Sequence, residues 1–225
     1  MSSKQPHLVL TGIYAFAPNR ATMGGTAYFI VSKDWEGRSA NLMVDAPAHD
    51  PETLKFIAEQ GGAKQWVITH RGAIGEAQAL QAALQCEVIV QEQEAYLLPA
   101  IPNLTSYRDH YSLGKRGGVF WTPGHSPGSA CLYYQDHGGI LFTGRHLLPD
   151  RQGHLTPLRF SKTFHWPRQL QNVAELQTRF SNETLSYVCP AANTGFLRGR
   201  HTVASAYDQL QTIDVTQLLS APALL

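Results

Sequence analysis

Short apolar blocks recur along the chain, some alternating with polar residues and others spaced near the helical repeat. Side chains alternate across a strand and climb one face of a helix, so the two spacings predict strands and helices respectively. Residues 7–17, 26–32 and 41–45 read as strands, the last two joined as a hairpin across the charged turn 33–38. Asp50-Pro51-Glu52 predicts a helix start: the aspartate caps, the proline suits the first turn, and the glutamate meets the positive end of the dipole. Gly61-Gly62 ends that helix. Residues 65–69 read as a short buried strand, 70–73 as a loop and 86–90 as a strand. The helix between them, 74–84, carries Ile74, Ala77, Leu80, Ala83 and Leu84 near 3.6 spacing. A further helix is predicted over 92–98, stopped by Pro99 and Pro102.

Residues 100–117 and 146–165 are polar and irregular. Between them lies the most informative stretch of the chain. Val119-Phe120-Trp121 reads as a buried strand, broken by Thr122-Pro123-Gly124-His125-Ser126-Pro127-Gly128. That density of proline and glycine predicts a fixed irregular loop with His125 at its apex. Residues 129–134 and 140–143 are strands joined by the turn 135–139. A helix is expected over 167–180, a strand over 185–188, a loop over 189–195 and a last helix over 202–219. Helices alternate with strands, yet each half contains antiparallel hairpins. The pattern predicts an α+β fold, two mixed β-sheets face to face with helices on both outer faces. One domain over residues 1–225 is the expected organisation.

Composition narrows the picture. An apolar fraction of 43% and a charged fraction of 16% are ordinary for a globular protein. A formal net charge of +1 leaves no basic excess to neutralise phosphates, which argues against nucleic acid as the partner. No apolar run approaches a membrane span, and MSSKQPHLVL at the N-terminus has no signal-peptide core. Cys86, Cys131 and Cys189 are odd in number and each falls in an apolar run, so they read as buried thiols. A reducing, cytoplasmic setting is the expectation.

The string TPGHSPGS followed by LFTGR resembles the metallo-β-lactamase-like hydrolase superfamily, whose loop T-P-G-H-T-x-G-S precedes a hairpin ending L-F-T-G-D. The hairpin G-G-T-x-Y, turn, L-x-V-D resembles the family's opening. The resemblance covers nearly the whole chain and implies the family's αββα four-layer sandwich. It also implies a two-metal site, and there the motifs degenerate. The family's first metal motif is T-H-x-H-x-D-H, then I-G-G or I-G-E-A. Here Thr69-His70 and Ile74-Gly75-Glu76-Ala77 match, but only Arg71, Gly72 and Ala73 stand between, so the other ligands have no counterpart. His125 survives from the second motif. The aspartate that bridges the metals is Arg145, and the last motif, P-G-H-G, is Pro190-Ala191-Ala192-Asn193.

A divalent metal needs three or more converging lone pairs, and arginine has none to give. At about 4 Å and an effective dielectric near 20, a guanidinium against a dication costs about 8 kcal/mol. Neither zinc nor iron is therefore expected at the ancestral position, and no cofactor is expected. His110, His146 and His165 remain candidates for a different site, His146 foremost because it follows Arg145. Two readings of Arg145 stay open. In one it takes the electrostatic place of the metals and binds a small anion bidentately, with His70 and His125 as hydrogen-bond donors or an acid–base pair. In the other it pairs internally with Asp45 or Glu76 and plugs the old site. The corresponding functions are a non-hydrolytic binding protein or pseudoenzyme, and a hydrolase of esters or thioesters with a rebuilt mononuclear or metal-free centre. Whether the chain is an enzyme is left open, as is its oligomeric state. Phe164 and Trp166 either line a pocket mouth or staple a helix start. Arg198, Arg200 and His201 read as a solvated basic face. Ser126 has no G-x-S-x-G elbow around it, which weakens a serine-hydrolase reading.

Overall fold

The computed structural model describes residues 5–224; Met1 to Lys4, the start of the stretch read for a signal peptide, lie outside the described residues, as does Leu225. The chain forms two compact units that divide between Tyr107 and Arg108.

The first unit is built on one seven-stranded mixed sheet. In chain order its elements are β1 (His7–Leu10), β2 (Ile13–Ala15), β3 (Tyr28–Ile30), β4 (Leu42–Val44), α1 (Pro51–Glu59), β5 (Gln65–Ile68), α2 (Ala77–Leu84), β6 (Glu87–Gln91), α3 (Glu92–Ala95) and β7 (Leu104–Tyr107). The strands lie in sequence order, antiparallel from β1 to β4 and parallel from β4 to β7. Register carries one apolar row across the sheet: Tyr14, Phe29, Met43, Trp66, Val88 and Leu104 stand opposite one another in turn. Ile57 of α1 and Leu80 of α2 pack on that row, and both are fully buried. The row explains why strands as short as three residues hold: each contributes one large side chain to a continuous apolar surface.

The second unit continues with β8 (His110–Ser112), β9 (Gly117–Trp121), β10 (Ala130–Tyr134), β11 (Ile140–Gly144), β12 (Leu148–Pro149), β13 (Leu155–Thr156), α4 (Trp166–Arg179), β14 (Tyr187–Pro190), β15 (Val203–Ala204), α5 (Ala206–Gln211) and α6 (Val215–Leu218). Six of its strands form a mixed sheet in the order β15-β14-β11-β10-β9-β8, and β12 and β13 make a separate hairpin. Within that sheet, as described, β11 and β14 pair in parallel and the other neighbours are antiparallel. Leu141, Val188 and Val203 share a row and meet Val173 and Leu176 of α4 and Leu210 of α5.

Several sequence expectations need correction. Residues 7–17 are two strands, because Gly12 at φ +76° turns the chain and its carbonyl accepts from Val31 N–H at 2.8 Å. The polar tract 100–117 contains β7 and β8. The tract 146–165 holds the β12–β13 hairpin, turned by Asp150, whose Oδ1 accepts from Gln152 and His154 N–H at 2.8 Å. Helix α2 starts at Ala77, since Gly75 at φ +54° cannot continue a right-handed helix; α3 is a single turn. The last predicted helix is a short strand and two short helices. Ala206 and Tyr207 N–H donate to Ser186 and Leu185 carbonyls, and Asp214 caps a fresh start at Thr216 and Gln217. Trp166 is buried and donates Nε1–H to the Leu218 carbonyl at 2.9 Å, whereas Phe164 is exposed.

Trp66→Ala is expected to lower the unfolding free energy by about 3–5 kcal/mol, measured by urea denaturation, because it opens a cavity in the middle of the first unit's row. An exposed-site control, Trp35→Ala at the tip of the β3–β4 turn, should change it by less than about 0.5 kcal/mol.

Candidate functional site

The candidate residues of the first unit gather where β4 and β5 end. Asp45 follows β4 in the left-handed region, φ +62°, and is 3% exposed. Aspartate tolerates that conformation better than most residues, and its backbone N–H donates to Val67 O at 2.8 Å. The side chain is turned back onto β5. Asp45 Oδ1 accepts from Thr69 N–H at 2.8 Å, and the Thr69 hydroxyl lies 2.8 and 2.9 Å from the two carboxylate oxygens. Thr69 Oγ1 also lies 3.0 Å from His70 Nδ1.

One proton count fixes the direction of this chain. The hydroxyl has a single hydrogen, and an ionised carboxylate can only accept. The hydroxyl therefore donates to Asp45, and His70 Nδ1–H donates to the hydroxyl. In the neutral ring the lone pair is then on Nε2. Gly72 leaves room beside that nitrogen: a Cβ there would lie 3.2 Å from His70 Nε2 and 2.7 Å from the Met23 methyl. Gly75 is needed for space as well as angle, because a Cβ would come within 2.7 Å of Ala46 Cβ. Glu76 stands at the start of α2, exposed, and makes no side-chain capping bond.

In the second unit the TPGHSPGS loop is braced from inside and outside. Inside it, Ser129 Oγ–H donates to Ser126 O at 2.7 Å, Ser126 N–H donates to Ser129 Oγ at 2.9 Å, and Trp121 Nε1–H donates to Pro127 O at 2.8 Å. Outside it, the N-terminal end of α4 and the residues before it hold the backbone. Phe164 and His165 N–H donate to the carbonyls of His125 and Gly124 at 3.1 and 2.9 Å, and Asn172 Nδ2–H donates to Pro123 O at 2.8 Å. Gly124, at φ +148°, lies so close to Gln169 that a Cβ would approach its backbone nitrogen to 2.5 Å. His125 is half-buried, its ring edge-on to Phe160 with centroids 6.2 Å apart.

Arg145 follows β11 directly. Gly144 turns the chain at φ +54°, its carbonyl accepts from Ala191 N–H at 2.8 Å, and His146 N–H donates back to Thr143 O at 2.9 Å. The arginine is half-buried and its neighbour His146 is fully buried. Neither ring nitrogen of His146 has a hydrogen-bond partner among the described residues. Burial first, and then the nearby charge of His125, push its pKa down to about 3, so the ring is neutral at neutral pH. After β14, Ala192 stands where the last family histidine would be, and the next residue, Asn193, adopts φ +59° and donates Nδ2–H to Pro149 O at 3.2 Å.

The structure thus brings Asp45 and His70 together through Thr69, and His125 together with His146. Sequence reading had not assigned Thr69 a role; its position between a strand and a histidine was the available signal. Nor had it used Gln169, whose Nε2–H donates to His146 O at 2.9 Å and whose spacing from Asn172 puts both on one helix face. Among the described residues, no group of three or more His, Cys, Asp or Glu side chains is arranged to hold a metal ion. The residues present do not fit the two-metal centre: its bridging carboxylate is a guanidinium, and Asp45 is engaged by Thr69.

A family model described as the metallo-beta-lactamase superfamily matches residues 53–188, more than half of the chain. A hydroxyacylglutathione hydrolase from Maricaulis maris (strain MCS10) is 29% identical over 124 residues, which is 52% of this chain and 45% of that protein, so the match spans less than half of the relative's length. Among solved structures, ETHE1 from Myxococcus xanthus superposes with a TM-score of 0.64 at 18% identity, covering 93% of this chain and 92% of that one. The BLEG-1 B3 metallo-beta-lactamase gives 0.62 at 17%, covering 87% and 95%. An archaeal superfamily protein from Sulfolobus tokodaii gives 0.61 at 16%, covering 95% and 88%. At such identities the likeness establishes the fold, the αββα sandwich class. No helix of the described residues is long and apolar enough to cross a membrane.

Two measurements follow from this geometry. The unfolded chain takes up a proton on His146 near pH 6.5, while the folded protein withholds it until about pH 3. The unfolded state therefore binds more protons below pH 6.5, and stability falls as pH drops. Between pH 7.5 and 5 the loss assigned to this residue is about 2 kcal/mol, and His146→Leu should flatten that slope in urea titrations. Separately, nitrogen-15 NMR of the imidazoles should show His70 protonated on Nδ1, and Thr69→Val should abolish that single-tautomer signature.

Proposed function

The chain belongs to the metallo-β-lactamase superfamily, and we propose that it is a member without the dinuclear metal centre, a non-hydrolytic or metal-independent protein that binds a small anionic ligand at Arg145. The observation that carries this reading is the residue that follows Thr143-Gly144. A fixed cation stands there in place of a metal-bridging carboxylate, on a turn tied to β14. A guanidinium presents paired N–H donors that match a carboxylate or phosphate, and it stays charged at any ordinary pH. His125, in the same unit, supplies a second polar group from a loop that is rigidly braced. On this reading the protein is a pseudoenzyme with respect to metal-dependent hydrolysis.

A metal-free hydrolase of esters or thioesters is the second reading. Two observations favour it: the Asp45–Thr69–His70 series, a carboxylate, a hydroxyl and an imidazole in hydrogen-bond sequence as general-base catalysis uses, and the sequence match to a protein named hydroxyacylglutathione hydrolase. Thioester cleavage by chelator-treated protein, lost in His70→Gln, would decide for it.

Calorimetric titration with inorganic phosphate and with acetate tests the first reading. The wild-type protein should bind one of the two saturably, and Arg145→Ala should weaken binding about tenfold or more, the loss expected for a charge-assisted pair. A variant that is destabilised but binds unchanged would instead make Arg145 an internal partner of Asp45 or Glu76 and overturn the anion site. Zinc or iron retained stoichiometrically after purification would overturn the metal-independent reading altogether.

A further inference from the structure

Away from the His125 loop's apex, the second unit has a polar recess of about 340 Å³ between β9 and α4. Its charged lining consists of Asp109, Arg168, Glu175 and Arg179, two of each sign. Arg168, Glu175 and Arg179 recur along one stripe of α4. Each arginine lies over an aromatic ring of β9: Arg168 is 4.5 Å from the Trp121 centroid and Arg179 is 4.3 Å from that of Phe120. A guanidinium held over an aromatic face by its charge still has its N–H donors to offer a ligand. Among the described residues no ion pair links either arginine to Asp109, Glu175 or any other acid; the pairs lie elsewhere. Opposite charges thus share one recess without collapsing onto each other, because the rings hold the cations in place.

A lining of two cations and two anions suits a ligand that is itself dipolar. A simple oxyanion would be repelled by the two carboxylates, and a simple cation by the two guanidinium groups. Across Phe120 and Arg179 the recess meets a second one of about 420 Å³, lined further by His110, Tyr133, Phe180 and Thr184, which offers room for an uncharged side chain. We propose that this face binds a short zwitterionic peptide. Its carboxylate lies on the edges of Arg168 and Arg179, its ammonium group on Asp109 and Glu175, and a side chain in the adjoining recess. The site is separate from Arg145 in sequence and in chemistry and does not depend on the anion reading.

The arginine Nε–H resonances of the full chain report the test, with L-alanyl-L-alanine as probe and acetate and ethylammonium as single-charge controls. The dipeptide should shift the Arg168 and Arg179 signals saturably, and each control should bind at least about tenfold more weakly. Arg179→Gln should weaken the dipeptide about tenfold or more, Arg179→Lys should recover only part of that, and Glu175→Gln should weaken it while leaving acetate unharmed. Arg145→Ala should bind the dipeptide as the wild type does. Thermal unfolding of each variant establishes that it is folded, and Glu175→Gln, on an exposed helix position, serves if Arg179 proves structural. Absence of a saturable shift up to the solubility limit of the dipeptide would overturn the proposal. So would acetate binding as tightly as the dipeptide, or dipeptide affinity unchanged in both Arg179→Gln and Glu175→Gln.

Discussion

A carboxylate buried at the end of a strand, with the next strand's threonine wrapped around it, sets the local geometry of the first unit. Asp45 sits in a backbone conformation that disfavours most side chains, and it persists because its acceptors are filled by Thr69 backbone and hydroxyl. Those bonds tie the end of β4 to the end of β5, where the chain leaves the sheet for the His70 loop. The orientation of the imidazole is set by the same hydroxyl. A buried carboxylate left with nothing to accept would cost several kcal/mol, so this contact cannot be loosened independently of the sheet.

The second unit meets a comparable demand by a different route. Its loop is held through the backbone carbonyls of Pro123, Gly124 and His125, which accept from α4 and the residues just before it. Fold and chemistry are here separable. The scaffold that places a loop histidine is present, while among the described residues no donor set that would gather metal ions is. A fold supplies positions, and the residues standing at those positions decide what chemistry follows.

The alternation of strands and helices, the Asp50-Pro51 cap and the TPGHSPGS loop were legible because each is a local signal: period, cap chemistry and turn formers. Asp50 does accept from Thr53 N–H at 2.8 Å, as a cap should. What stayed illegible depends on partners distant in sequence. β7 is polar on its exposed positions and becomes a strand because β6 offers it a ladder. The residues over 202–219 have helical composition, yet 206 and 207 are bonded to the carbonyls of 185 and 186 and the helix breaks. At the site, the loss of ligands could be read residue by residue from the motif, whereas Thr69 as a bridge and the complete burial of His146 arise only once distant segments pack together.

At Gly124 loop and helix lie so close that there is no space between them for even a methyl group. The two segments therefore shift as one piece: any tilt of α4 carries the histidine at the loop apex along with it. A binder acting on the outer face of that helix would have a mechanical lever on the loop, without touching it.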